Sequence, residues 1–78
     1  MNLVAKIILK SYEFTVFKIE NEGDYNPYKI FMSKDGKTSF VNDYANMGSV
    51  LTWIGDLQNG TISCRNDRTI DFELEELY

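Results

Sequence analysis

The side chains able to do chemistry in this sequence are mostly carboxylates. Twelve Asp and Glu stand against eight Lys and Arg, with a single Cys and no His, for a formal charge of −4. Without His there is no catalytic triad, no imidazole acid–base pair and no His metal ligand. One Cys can form neither an intrachain disulfide nor a Cys-rich zinc site, and Cys64, in the strand-like run Thr61-Ile62-Ser63-Cys64, reads as a small inert hydrophobe. The carboxylates gather at the C-terminal end, where Asp71, Glu73, Glu75 and Glu76 have no basic residue among the last ten. On a strand, Asp71, Glu73 and Glu75 point the same way at intervals of about 6.8 Å. That spacing suits the carboxylate pair of an inverting glycosidase, but such a pair needs a cleft that a chain of 78 residues can hardly enclose. The same spacing converges poorly on Ca²⁺ or Mg²⁺, and no loop has the EF-hand pattern. The five Gly, at 23, 36, 48, 55 and 60, stand singly, so no phosphate-cradling loop is present. Ser and Thr lack a base. The chemistry-bearing residues therefore predict a protein that is not an enzyme and uses no cofactor and no metal.

Residues 3–10 (LVAKIILK) and 13–20 (EFTVFKIE) are rich in β-branched and aromatic residues and lack a helical stripe, which predicts two strands joined tightly at Ser11-Tyr12. The run NEGDYNP, residues 21–27, collects turn formers into a loop. A second hairpin follows, with strands Tyr28–Met32 and Lys37–Val41 around Ser33-Lys34-Asp35-Gly36, where Asp-Gly supplies the positive φ angles of a tight turn. From Tyr44 to Gln58 the spacing of Met47, Val50, Leu51, Trp53, Ile54 and Leu57 predicts an amphipathic helix, capped at its start by Asn42, Asp43 or Asn46 and closed at Asn59-Gly60. A strand near Ile62 and another in which Ile70, Phe72 and Leu74 alternate with Asp71, Glu73 and Glu75 complete the order β-β-β-β-α-β-β. The prediction is one α+β domain over residues 1–78, a small antiparallel sheet with one helix packed on it. The N-terminal apolar run is interrupted by Lys6 and Lys10 and no stretch reaches the length of a membrane span, so the expected setting is soluble and cytoplasmic.

Charge and aromatics point to macromolecular binding. Residues 1–41 carry six Lys and five acids, whereas residues 42–78 carry two Arg and seven acids. Lys6, Lys10, Lys18 and Lys29 beside Tyr12, Phe14, Phe17 and Phe31 would suit a sheet that stacks single-stranded nucleic acid, but the net negative charge opposes phosphate contact. Direct nucleic-acid binding is the alternative reading, together with a homodimer or larger homo-oligomer paired through an edge strand such as Leu3–Lys10 or Ile70–Leu74. A protein-binding module accounts for more. Eleven aromatics exceed what so small a core readily buries. Tyr25 and Tyr28 flank the Asn26-Pro27 turn, Tyr12 is expected in a tight turn, and Tyr78 ends the sequence, so these rings are candidate interface anchors. The acidic face of Asp71, Glu73 and Glu75, extended by Glu76, would attract a partner protein with a basic surface.

A short acidic chain with an antiparallel sheet, one helix over Tyr44–Gln58 and no catalytic constellation resembles the small phage-encoded anti-CRISPR inhibitor proteins. The passage Phe40-Val41-Asn42-Asp43 into Leu51-Thr52-Trp53 is the local part of that resemblance. It implies a non-enzymatic inhibitor that works in the host cytoplasm by blocking a basic surface of a nucleic-acid-handling complex.

Overall fold

A computed structural model describes residues 2–9 and 11–59. It contains strand β1 (Asn2–Leu9), strand β2 (Tyr12–Lys18), strand β3 (Tyr28–Lys34), strand β4 (Lys37–Tyr44) and helix α1 (Met47–Asn59). The strands form one antiparallel sheet in the order β1-β2-β3-β4, each beside its neighbour in sequence. The α+β arrangement expected from the sequence is therefore present. The predicted strands near Ile62 and over Ile70–Leu74, Cys64 and the closing Gly60 lie outside the described residues.

Alternation along the strands divides the sheet into two faces. Tyr12, Phe14 and Val16 of β2, Ile30 and Met32 of β3 and Val41 of β4 are buried on the face that carries α1. The helix contributes Val50, Trp53 and Leu57 to this core, with Met47 and Ile54 half-buried at its margin. Trp53 meets Phe14 edge-on, with ring centroids 5.8 Å apart. The period of the apolar helix residues thus identifies the buried stripe, with one correction: Leu51 is 60% exposed and lies off it.

Two boundaries differ from expectation. The helix starts at Met47 rather than Tyr44, because Asn42, Asp43 and Tyr44 continue β4 opposite Ile30, Lys29 and Tyr28. Of the three candidate caps, Asn46 caps the helix: its Oδ1 accepts a hydrogen bond from the Ser49 N–H at 2.9 Å. The second hairpin is also longer than predicted. Ser33 and Lys34 belong to β3, leaving Asp35 (φ 54°) and Gly36 (φ 77°) as a two-residue turn. Positive φ at both positions gives the twist that antiparallel strands require. Along β4 a bulge between the Phe40 and Asn42 pairings lets Val41 and Asn42 both face inward. The buried Asn42 is satisfied locally: its Nδ2 donates to the Tyr44 hydroxyl at 3.1 Å and its Oδ1 accepts from the Asp43 N–H at 2.9 Å.

Candidate interaction surface

The face of the sheet away from α1 carries the residues that alternate with the core. They are Glu13, Thr15 and Phe17 on β2 and Lys29, Phe31 and Ser33 on β3, with Thr38 and Phe40 on β4 opposite Ser33 and Phe31. Phe17 packs edge-to-face on Phe31 at 6.0 Å, and Phe31 on Phe40 at 5.7 Å. The three rings form a row across three adjacent strands, each half-buried. Beside them lies an open depression of about 380 Å³ lined by Thr15, Phe17, Phe31, Ser33 and Thr38. Its floor is aromatic, and its rim carries the Ser33 and Thr38 hydroxyls, hydrogen-bonded to each other at 2.8 Å. The two hydroxyls are each other's partner, and among the described residues no base is shown hydrogen-bonded to either.

Lys6 and Lys29 on this face, and Lys18 at the end of β2 on the other side of the sheet, are paired within the chain. Lys6 lies 3.6 Å from Glu13. Lys29 lies between Asp24 at 2.8 Å and Asp43 at 3.3 Å. The hydrogen bond from Lys29, followed by that from the Asn26 N–H, holds the Asp24 carboxyl below its usual range, and Asp24 in turn is the main reason the Lys29 ammonium is raised. Lys18, 3.2 Å from Glu20, is raised chiefly by that carboxylate and lies 5.7 Å from the Tyr28 ring centre. A nucleic-acid-binding sheet needs such lysines for phosphates, and here Lys6, Lys18 and Lys29 already have carboxylate partners.

The structure separates the residues that the stacking-sheet reading grouped together. Phe17, Phe31, Lys6 and Lys29 share the open face, whereas Phe14 is in the core and Lys10 lies outside the described residues. Tyr12 is a correction. It is the first residue of β2 and is buried, with its hydroxyl accepting from Lys34 Nζ at 3.0 Å and the same ammonium 4.5 Å from its ring centre. Its pairing with Leu9 makes Tyr12 part of the ladder, not of the turn. Tyr25 is 87% exposed in the loop between β2 and β3, as an anchor requires, while Tyr28 is half-buried at the start of β3. That loop is closed by the Ile19 N–H donating to the Pro27 carbonyl at 2.8 Å. Asp71, Glu73, Glu75, Glu76 and Tyr78 lie outside the described residues. Phe40 was not among the expected contact residues, although a signal for it exists: a two-residue Asp35-Gly36 turn pairs Lys34 with Lys37, and counting back three residues sets Phe31 against Phe40.

Among the described residues no group of three or more Cys, Asp or Glu is placed to hold a metal ion. No described helix is long and apolar enough to cross a membrane. Comparison with protein-family models, curated proteins and solved structures finds no match to this chain.

Proposed function

We propose that this chain is a non-enzymatic protein-binding module that acts by occupying a surface of its partner, with the open aromatic face of the sheet as the contact. The observation that carries this reading is the row of Phe17, Phe31 and Phe40 on the face opposite the helix. Rigid aromatic side chains on a sheet present large apolar area at low entropic cost, which is what an interface centre needs. The exposed Tyr25 extends the contact from the neighbouring loop. The acid-rich residues Asp71, Glu73, Glu75 and Glu76 add long-range attraction to a basic partner. That charge, with the sequence resemblance to anti-CRISPR inhibitors, makes a host nucleic-acid-handling complex the partner class to test first.

The test compares capture from host lysate by the natural chain, by Phe31→Thr and by the triple variant Asp71→Lys, Glu73→Lys and Glu75→Lys. Thr keeps the strand preference of position 31 while removing the ring. The expected result is a captured protein that both variants lose while circular dichroism stays unchanged. Capture that survives Phe31→Thr removes the aromatic face from the contact. Tight binding of a labelled single-stranded oligonucleotide at low salt overturns the proposal in favour of a nucleic-acid platform.

A further inference from the structure

A second surface, independent of the aromatic face, is the β1 edge of the described sheet. β1 is a terminal strand, and among the described residues nothing pairs with its outer side. Sheet edges are ordinarily protected by charge, proline or bulges. The β4 edge follows that rule, with Lys37, Asn42, Asp43 and a bulge near its middle. β1 does not: its sequence NLVAKIIL has one charge, Lys6, and its irregularity is confined to the end between Leu3 and Ala5. Of the five large hydrophobics exposed among the described residues, three are on this strand, Leu3 at 54%, Val4 at 40% and Ile8 at 68%.

Backbone geometry decides what the edge offers. Leu9 and Tyr12 close the first hairpin over two residues. Such a closing pair exchanges both of its backbone hydrogen bonds, and strict alternation puts Ile7↔Phe14 and Ala5↔Val16 in the same class. The N–H and C=O groups of Lys6 and Ile8 then point outward, so an added strand must bond through those two residues. A second β1, antiparallel about a two-fold axis at Ile7, meets this condition. Lys6 of each copy pairs with Ile8 of the other, Ala5 with Leu9, and Ile7 with itself. The faces also match, since Lys6 and Ile8 lie on the open side and Ala5, Ile7 and Leu9 on the core side. The neighbouring registers are worse. An axis at Lys6 sets two ammonium groups opposite each other, and an axis at Ile8 engages only Ile7, Ile8 and Leu9 of the strand. At the Ile7 axis each Lys6 keeps its own Glu13 and meets an aliphatic side chain rather than a like charge.

We propose that β1 is a homodimer interface, at which a second copy of this chain adds antiparallel about Ile7 and joins two four-stranded sheets into one of eight. Sedimentation equilibrium tests it. The natural chain is expected to approach twice its 9.1 kDa mass as concentration rises. Ile8→Lys sets like charges opposite both Lys6 positions and is expected to weaken the dimer by about tenfold or more, while its neighbour Glu13 accommodates the new charge within the monomer. Ile8→Glu places an acid opposite Lys6 of the second copy and retains the dimer. Hydrogen exchange of the natural chain supplies an independent reading, with the Lys6 and Ile8 amides slowing as concentration rises. A monomer at every concentration, protection that ignores concentration because residues 60–78 cover the edge, or a dimer equally stable in Ile8→Lys would each overturn the proposal.

Discussion

Trp53 reaches from the helix onto the sheet, where it is buried and meets Phe14 edge-on. Trp53→Ala is expected to cost about 3 to 5 kcal/mol, because a large cavity is left that backbone shifts only partly fill. Urea denaturation followed by circular dichroism measures it, and a loss below 1 kcal/mol would show that the helix face is not core. Asp24 gives a pH prediction. Its folded carboxyl titrates below its unfolded value, so its contribution is complete above about pH 3.9 and disappears as the pH falls through the depressed folded value. Lys29 works in the opposite sense: its stabilisation is complete below its unfolded value and is lost as the pH rises through the raised one. Asp24→Asn should therefore be less stable than the natural chain at neutral pH, with the gap closing in acid, and urea midpoints across the carboxylate range measure that closure. A gap that persists in strong acid contradicts the assignment. Neither the Asp24–Lys29 pair nor the burial of Tyr12 was legible in the sequence. The pair depends on a loop folding back onto β3, and a Tyr beside a hairpin turn looks the same whether its ring faces inward or out.

At the scale of elements, local chemistry marks the boundaries that it controls directly. Asp35-Gly36 was legible because few dipeptides adopt two positive φ angles, and Gly36→Ala should cost about 1 to 2 kcal/mol by forcing a β-carbon into that conformation. Asn46→Ala should cost about 1 kcal/mol by leaving the Ser49 N–H without its side-chain acceptor. Thermal melts of the two variants check both values, and an unchanged Asn46→Ala would move the cap elsewhere. The helix start was misread at Tyr44 because that residue fits both patterns: it stands three before Met47 on a helical count, and it is also the end of a strand paired with Tyr28. Tertiary pairing decided between them. The open-face aromatic row was legible only in part: the stacking-sheet reading named Phe17 and Phe31 but grouped them with Tyr12 and Phe14, which are buried, and Phe40 follows only from hairpin register.

At the scale of the whole molecule, the described sheet has one face packed on the helix and, among the described residues, one that carries the aromatic row, and the two faces should respond differently to substitution. Phe31→Thr on the open face is expected to change stability by much less than Trp53→Ala while removing partner binding, a separation that denaturation and titration calorimetry measure together. Reversing Asp71, Glu73 and Glu75 to Lys should weaken binding and flatten its salt dependence, since screened long-range attraction is the role proposed for those charges. Unchanged affinity across salt concentrations would exclude that role. The pairing of each strand with its sequence neighbour has a further consequence, in the order of assembly. The four described strands are joined by two, nine and two residues, so no pairing among them waits for a distant segment, and closing each loop costs little chain entropy. During synthesis the four described strands are complete in sequence once Tyr44 has left the ribosome, before Trp53 and Leu57 arrive to cover the core face. Until the helix docks, Tyr12 and Phe14 on the core face are as uncovered as Phe17, Phe31 and Phe40 on the other, and that interval is when the face later buried is most vulnerable to aggregation.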